Sequence, residues 1–372
     1  MIQVLNVSSD RNIGGAGRCI LNFLKYYDRT SFTVDVAVPK GSLLVPEIEK
    51  LDTRIIEVDG IGDKSLDFGA IRELKRVIRE TDPQVVHTHG AMSARIAGRQ
   101  CGKRVIYTRH SVFPVSKKLS RPPGKWLNGW VNKHYADEII AVAEAAKENL
   151  VESGVRADRV EVILNGVEGQ TRLSIEETLA EKAKYGIAPD RFVAGILARM
   201  EHVKGHRYLL EAARMLKDEG KPITIVIAGT GNLEDQLKAQ AQEMALGDTV
   251  VFAGFVTDVP RLLSLMDIQL NASFGTEATS LALLEGMSMG IPAVVTDYGG
   301  NPGVIAEGVN GLLVPTKNSK ALAQAISKMM ENKETYAHMQ KSCLDVFAEK
   351  FTAEIYARNI ERVYRRAAGK RG

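Results

Sequence analysis

The stretch that decides the fold of this chain is 274–292, which reads F-G-T-E-A-T-S-L-A-L-L-E-G-M-S-M-G-I-P. Its apolar centre predicts a buried helix over 280–289, because Thr279 and Ser280 are N-cap residue types and a glycine and a proline end the apolar run. A helix start without a side-chain cap offers free N–H groups and the positive end of the helix dipole. Such a start is a natural site for a phosphate group.

Two carboxylates flank the start of this helix. Glu277 precedes it and Glu285 lies within it, with seven residues between them. Eight residues along a helix span about 12 Å, roughly the length of a sugar joined through a diphosphate to a ribose. One carboxylate could then hold sugar hydroxyls, the helix start the diphosphate, and the other carboxylate the ribose. The pattern predicts a nucleotide-sugar site.

Length and composition indicate an ordinary globular protein with two domains. The chain has 372 residues, of which 45% are hydrophobic and 25% charged, and one core seldom serves a chain of this length. No apolar run approaches the length of a membrane span. The N-terminus enters a strand directly, so we expect no signal peptide. The three cysteines lack metal-ligand spacing and indicate core thiols in the reducing cytoplasm.

The order of apolar runs predicts the fold class. Continuous Val and Ile runs alternate with helical patterns in both halves, which is typical of parallel sheets covered by helices on both faces. We therefore expect an α/β protein with two Rossmann-like parallel-sheet domains whose loops at the strand carboxyl ends face each other across a cleft. The predicted strands are 2–7, 32–38, 54–58, 84–87, 104–107, 138–141 and 160–164, then 192–197, 223–228, 249–252, 268–271, 293–296 and 311–314.

A charged, helix-forming stretch separates the two halves. We place the N-terminal domain at 1–168, the connection at 169–190 and the C-terminal domain at 191–351. The last segment, 352–372, contains an amphipathic helix with a basic tail.

Two cations follow the first strand of the second half. Arg199 and Lys204 lie in the loop A-R-M-E-H-V-K-G-H and could neutralise a diphosphate, Arg as a planar fork and Lys as a point charge. The alternative is a pair of ordinary surface cations. No Asp-x-Asp occurs in the chain, so we expect these cations and the helix dipole, without a metal ion, to hold the phosphates.

In the first half, glycines and histidines follow the strands. Gly14 and Gly15 could bring backbone N–H groups close to an anion, or simply form a tight turn. His110 ends a predicted strand, where ligand contacts belong. His87 and His89 end a neighbouring strand; no carboxylate or Cys completes a metal set there, so His87 is interpreted as structural and His89 stays open.

The segment 83–136 contains ten Lys and Arg and no Asp or Glu. Its cations alternate with apolar side chains such as Phe113, Trp126 and Trp130. This mixture is typical of a surface that binds anionic membranes or an anionic acceptor. The alternative is a solvated loop whose aromatic side chains pack inward. Nucleic acid is not expected, because no binding motif accompanies the charge.

Taken together, these positions resemble the family 4 retaining glycosyltransferases of the GT-B fold, the glycogen synthase and group 1 type. The matching motifs keep the family order over nearly the whole chain. They are G-G at 14–15, Y-T-R-H at 107–110, L-N-G-V at 164–167, R-x(4)-K-G at 199–205, A-G-T-G at 228–231, F-A-G-F at 252–255 and E-x(7)-E at 277–285.

The resemblance implies a role for each matched position. Glu277 would bind hydroxyls of the donor sugar and Glu285 those of the ribose. The diphosphate would lie against a set of cations and N–H groups, and the base against a loop that includes Phe255 and Val256. His110 would lie beside the donor sugar. The remaining implied contacts to the donor come from Gly14, Gly15, Arg199, Lys204, Gly229, Ser280 and Leu281.

The resemblance further implies a cytoplasmic enzyme that moves a sugar from a nucleotide sugar to a lipid-linked, glycan or small-molecule acceptor with retention at the anomeric carbon. It also implies that the final helix returns to the first domain. Two other functions stay open: a nucleotide-sugar 2-epimerase, and a non-catalytic subunit that binds a nucleotide sugar. Ala278-Thr279-Ser280 departs from the family pattern after Glu277, which leaves the sugar open.

Overall fold

The protein is described by a computed structural model covering residues 1–62 and 66–369. The chain forms two compact units. The first contains residues 1–167 together with the segment from Phe351 onward, and the second contains Glu168–Lys350. Each unit has its own parallel sheet, which confirms the predicted α/β class with two Rossmann-like sheets.

Seven strands build the sheet of the first unit, in the order β3-β2-β1-β4-β5-β6-β7. All its pairs are parallel. Helices cover such a sheet on both faces, so most residues of its inner strands are buried and many are apolar; Val4, Leu5 and Val7 of the strand 2–8 are fully buried. The strands are β1 Ile2–Ser8, β2 Phe32–Pro39, β3 Ile55–Val58, β4 Val85–His89, β5 Arg104–Arg109, β6 Glu138–Ala141 and β7 Val160–Val162.

The helices of the first unit lie between these strands in sequence. Asp67 caps the start of helix 68–81, because its side chain accepts a hydrogen bond of 2.8 Å from the backbone N–H of Ala70. The helices are α1 Gly15–Tyr26, α2 Val45–Glu49, α3 Phe68–Thr81, α4 Met92–Gln100, α5 Lys117–Ser120, α6 Gly124–Tyr135 and α7 Glu144–Glu152.

Six parallel strands build the sheet of the second unit, in the order β10-β9-β8-β11-β12-β13. The strands are β8 Phe192–Leu197, β9 Ile223–Ala228, β10 Val250–Gly254, β11 Ile268–Asn271, β12 Ala293–Thr296 and β13 Gly311–Val314. The helices are α8 Ile175–Lys184, α9 His206–Asp218, α10 Glu234–Glu243, α11 Val259–Leu263, α12 Leu281–Ser288, α13 Asn301–Val304, α14 Ser319–Glu331 and α15 Lys333–Lys350.

The last described helix, α16 Ala353–Gly369, belongs to the first unit. Its Tyr364 is fully buried and packs edge-on against Phe23 and Phe32. Its Glu361 accepts a hydrogen bond of 2.7 Å from the backbone N–H of Asp28. The expected return of the final helix to the first unit is confirmed.

Some elements differ from the sequence prediction. Helix α15 was not predicted, because its apolar residues follow no strong amphipathic pattern and only Met339, Cys343 and Phe347 are buried. The basic segment contains the helices α5 and α6 where a loop was the alternative. Across the described residues, no helix has the length and apolar character that a bilayer span requires.

Candidate active site

Both sheets have the same topological switch point. In each, the first strand of the unit lies between the second and the fourth, so the loops after the first and fourth strands leave the sheet in opposite directions. Ligands of open α/β sheets bind at this point, beyond the carboxyl ends of the strands. In the second unit these are the loops after β8 and β11, which contain the predicted residues Arg199, Lys204 and Glu277.

The two loops of the second unit are joined by one ion pair. Nζ of Lys204 lies 2.7 Å from Oε2 of Glu277, and the side chains are only 15% and 7% exposed. Removing both charges from water is costly, and each partner compensates the other. The sequence predicted both residues for the site but assigned them to different ligand groups; the structure brings them into direct contact.

Two further side chains hold the carboxylate of Glu277. Its Oε2 accepts hydrogen bonds from Oγ of Ser273 at 3.0 Å and from Nδ2 of Asn271 at 3.4 Å. Sequence reasoning missed both residues. The available signal was two polar residues following the buried strand I-Q-L, at a strand end where ligand contacts collect.

Backbone geometry fixes the same pair. Gly205 has φ +73°, and a Cβ there would lie 2.1 Å from the carbonyl oxygen of Ala272 at the end of β11. Thr276 has φ +56°, which is uncommon for a residue other than glycine and is found most often at functional sites. The backbone N–H of Gly300 donates to the carbonyl oxygen of Glu277 at 3.2 Å. The close approach of Gly205 to Ala272 and the hydrogen bond from Gly300 therefore restrain the loop that carries Glu277.

Arg199 is placed differently from Lys204. Its side chain is 76% exposed, and its guanidinium lies 2.8 Å from Oε1 of Glu201. The pairing with Glu201 was not predicted, although the two residues are separated by only one residue. An exposed pair contributes little to stability, so this guanidinium can exchange its partner at low cost.

The helix start that the sequence singled out lies in the same region of the chain. Helix α12 begins at Leu281, with Ser280 at the N-cap position. The prediction of Ser280 at an N-cap position is confirmed, and its hydroxyl makes no cap hydrogen bond, so this helix start has no side-chain cap. The first turn contains no acidic residue, so nothing in it opposes the positive dipole end. Glu285 follows on this helix and is half-buried.

The other predicted donor contacts of the second unit lie at the ends of β9 and β10. Gly229 has φ +123°, and a Cβ there would lie 2.2 Å from the carbonyl oxygen of Ala198. Its N–H donates to the carbonyl oxygen of Gly254 at 2.7 Å. This glycine therefore lets the chain after β9 lie close to the ends of β8 and β10. Phe255 is 75% exposed, whereas Val256 packs against the core of the unit.

In the first unit, the glycine loop leads into α1. Gly14 occupies the N-cap position and Gly15 the first helical position, with no side-chain cap and no acidic residue in the first turn. A Cβ at Gly15 would meet no atom of the described residues within 4 Å. Packing therefore does not require a glycine at this position, and its backbone is accessible at a helix start of the kind that binds anions.

Three histidines of the first unit, His87, His89 and His110, form one cluster at the ends of β4 and β5. Nδ1 of His89 lies 2.8 Å from Nε2 of His110, and Nε2 of His89 lies 3.1 Å from Oδ1 of Asn6. Burial lowers the pKa of His110 to about 4. The pKa of His89 lies well below the usual value. The main cause is burial, and the two neighbouring imidazoles add to it. Both rings are therefore neutral at physiological pH.

The third histidine of the cluster has a structural environment. Nδ1 of His87 lies 2.8 Å from the hydroxyl of Tyr364, and its Nε2 lies 2.7 Å from Oγ1 of Thr108. Burial lowers its pKa to about 3. The structure thus shows both ring nitrogens engaged by protein groups. No group of three metal-ligating side chains occurs among residues 1–62 and 66–369.

A fourth histidine, which the sequence did not single out, lies next to the Lys204 loop. His206 is the first residue of α9 and is buried, and its two ring nitrogens have no partner among the described residues. Its pKa is lowered to about 4, mainly because the ring is buried and also because the charge of Lys204 is near. It is therefore a neutral, buried ring beside the cation of the site.

The basic segment presents its apolar side chains to solvent. Trp126, Leu127 and Trp130 on α6 are 71%, 63% and 56% exposed, so the alternative of inward-packed aromatic rings is wrong. The other face of α6 holds the helix to the unit: Nδ2 of Asn128 donates to the carbonyl oxygen of Ser153 at 2.8 Å. An exposed apolar strip with lysines beside it is typical of an interaction surface.

The chain is similar to known proteins over both units. A family described as Glycosyltransferase Family 4 matches residues 13–171, and one described as Glycosyl transferases group 1 matches residues 177–343. EpsD of Bacillus subtilis (strain 168) is 28% identical over 329 residues, 84% of each chain. The UDP-Gal:alpha-D-GlcNAc-diphosphoundecaprenol alpha-1,3-galactosyltransferase of Escherichia coli is 26% identical over 291 residues, 74% of each chain.

Solved structures give the same fold. HepE of Anabaena, crystallised in complex with UDP, superposes with a TM-score of 0.84 at 21% identity, and the match covers 97% of this chain and 99% of that one.

Proposed function

This chain belongs to the family 4, group 1 glycosyltransferases, and we propose that it is a retaining, metal-independent enzyme. It moves a hexose from a nucleotide-diphosphate sugar to a hydroxyl of a lipid-linked or cell-envelope glycan. The observation that carries the proposal is the buried Lys204–Glu277 pair at the switch point of the second sheet, close in sequence to the helix start at Ser280.

The diphosphate of the donor needs positive charge. An ammonium group has three donors, and Lys204 uses one of them at Glu277, so it can also donate to a phosphate oxygen. Arg199 can exchange the exposed Glu201 for the diphosphate. The N–H groups at Ser280 and Leu281 supply the dipole end of α12. These groups neutralise a leaving diphosphate by themselves, which supports a metal-independent reaction.

The carboxylates bind the two sugar rings. Glu277 keeps Oε1 for hydroxyls of the transferred sugar, because Lys204, Asn271 and Ser273 all donate to its Oε2. Glu285 binds the ribose hydroxyls, and the loop with Phe255 and Val256 meets the base. HepE, which shares the fold, was crystallised with UDP-glucose; a uridine nucleotide is therefore the first donor to test.

The reaction breaks the bond between the anomeric carbon and the diphosphate and forms a bond to the acceptor oxygen on the same face, while the proton of the acceptor hydroxyl passes to the departing diphosphate. Catalysis on such a path rests on positioning of the reactants and on stabilising the leaving diphosphate. His110, neutral because burial lowers its pKa to about 4, acts beside the donor sugar as a hydrogen-bonding group. It does not compete with the cations for the diphosphate.

The acceptor is proposed from two observations. The Escherichia coli relative is named for a diphosphoundecaprenol-linked acceptor. This chain exposes a basic surface with two tryptophans on α6, which suits reversible attachment to the anionic inner face of a membrane.

The test is transfer from a panel of labelled UDP-, GDP- and ADP-sugars, with EDTA present, to lipid-linked and soluble acceptors. NMR of the product gives the anomeric configuration. Glu285→Gln should lower transfer by at least about tenfold. The control is Glu243→Gln, the same replacement at an exposed residue of α10, which should not alter transfer. An inverted product, a strict need for divalent metal, an epimerised donor or binding without turnover would each contradict the proposal.

A further inference from the structure

Two side chains link His110 to the interior of the first sheet. His89, at the end of β4, contacts Asn6 of β1 on one side and His110 on the other, at 3.1 Å and 2.8 Å. Asn6 and His89 are both buried, whereas His110 is partly exposed. The three side chains therefore form a line from the interior of the sheet to its carboxyl edge.

Donor and acceptor roles follow from chemistry. The Oδ1 atom of Asn6 is a carbonyl oxygen and can only accept, so Nε2 of His89 must carry the proton. In a neutral imidazole the other nitrogen is then an acceptor. Nδ1 of His89 faces Nε2 of His110, which must therefore donate. The line runs from His110 through His89 to Asn6.

The final helix contributes to the same network. The hydroxyl of Tyr364 donates to Oδ1 of Asn6 at 3.4 Å, and it also meets Nδ1 of His87 at 2.8 Å. Nε2 of His87 meets the hydroxyl of Thr108 at 2.7 Å. Tyr364 and His89 thus both donate to Oδ1 of Asn6.

We infer that Asn6 and His89 are positioning residues that hold His110 as its Nε2–H tautomer, leaving Nδ1 as a hydrogen-bond acceptor. Within the described residues, Nδ1 of His110 takes no hydrogen bond. The acceptor nitrogen is therefore available to a hydroxyl, either of the donor sugar or of the incoming acceptor. This role rests on the proposed function of His110.

The tautomer can be measured without any substrate. In a long-range 1H–15N spectrum of protein labelled at its seven histidines, the two tautomers give different ring-nitrogen shifts, and His110→Gln assigns the signal. We expect Nε2–H for His110 in the wild-type protein. An Nδ1–H form would overturn the inference, since it is the form that a reversed Asn6 amide would impose through His89.

Two replacements of His89 then separate positioning from packing. His89→Leu removes both hydrogen bonds, and His89→Gln restores an acceptor and a donor. We expect a mixed His110 tautomer and a roughly tenfold lower kcat for His89→Leu, with the KM for the donor almost unchanged, and recovery of both in His89→Gln. The matched control is Thr88→Val on the same strand as His89, which loses the buried hydrogen bond of 3.1 Å from the Thr88 hydroxyl to the carbonyl oxygen of Ile106 on β5.

The results for these variants separate failure of the inference from failure of the proposed function. A tautomer that stays Nε2–H in His89→Leu, or an equal loss in Thr88→Val and His89→Leu, would overturn the inference. If sugar transfer is not found at all, the proposed function fails, but the tautomer measurement still decides whether Asn6 and His89 orient His110. A variant that does not fold leaves the wild-type spectrum as the deciding measurement.

Discussion

Nζ of Lys204 and Oε2 of Glu277 lie 2.7 Å apart across two neighbouring loops, with Glu277 buried and Lys204 largely shielded from water. The two residues are far apart in sequence, and only the pairing of β8 with β11 brings their loops together. The same contact has two consequences, one for stability and one for donor binding.

Breaking this pair from one side should cost more than removing it altogether. Lys204→Ala leaves a buried carboxylate without its cation, and we expect a loss of about 3 kcal/mol in the free energy of unfolding. Lys204→Met with Glu277→Gln removes both charges at similar volume and should cost less than either single change. Urea unfolding of the wild type, Lys204→Met, Glu277→Gln and the double variant gives the coupling; additive effects would show that the contact is energetically unimportant.

Gly205 should be intolerant of a side chain for two separable reasons. Gly205→Ala combines a left-handed backbone with a clash at the carbonyl oxygen of Ala272, whereas Gly220→Ala has a similar φ, +67°, and open space. We expect a cost of about 1 kcal/mol for Gly220→Ala and about 2 kcal/mol more for Gly205→Ala. Gly205→Ala should also lower transfer, because it moves Lys204. Equal unfolding midpoints would show that the close approach to β11 is absent.

The stability contributed by a neutral His206 depends on pH. Its folded pKa of about 4 lies below the ordinary histidine pKa of 6.5, so the unfolded chain binds the proton first. The contribution is complete above pH 6.5 and is lost as pH falls toward 4. At pH 5 the loss is about 2 kcal/mol.

His206→Leu should therefore gain stability relative to the wild type at pH 5 and differ little at pH 8, since neither ring nitrogen has a partner among the described residues. Thermal unfolding at both pH values measures the gain. The exposed His338, replaced in the same way, controls for the loss of a histidine. A penalty for His206→Leu that is the same at both pH values would contradict the buried, neutral state.

Attachment of α6 to membranes can be followed by intrinsic fluorescence, because the only two tryptophans of the chain, Trp126 and Trp130, both lie on this helix. Vesicles with anionic lipid should shift the emission to the blue, since the exposed rings leave water, and neutral vesicles should not. Lys117→Glu with Lys118→Glu should weaken the shift. The same exchange at the exposed Lys320 and Lys328 of α14 should leave it unchanged; equal shifts with neutral and anionic vesicles would contradict the prediction.

Local pattern was enough for most of the framework. Apolar runs without alternation predicted the parallel strands, and strands such as 192–197, 268–271 and 311–314 were found at the predicted residues. Helix α15 was missed because its burial depends on partners distant in sequence. Ser280 was found at the predicted N-cap position; whether its hydroxyl makes a cap hydrogen bond did not follow from the residue type, because type indicates a capping position but does not fix the direction of the hydroxyl.

The candidate site was predicted in parts. Residue type and strand-end position indicated Lys204, Glu277, Glu285 and His110. Their partners did not follow from those signals, because Ser273, Asn271, Asn6 and Tyr364 acquire their roles only through contacts between separate elements.

By itself, the sequence determined the class of fold, the order of elements and the residue types available at each strand end, since periodicity and chain chemistry are local properties. The tertiary structure alone decided that Lys204 neutralises Glu277, that Arg199 stays exposed, and that Asn6 and His89 face His110. These are consequences of strand order and burial, because sheet pairing places remote loops side by side and removes water from the charges between them.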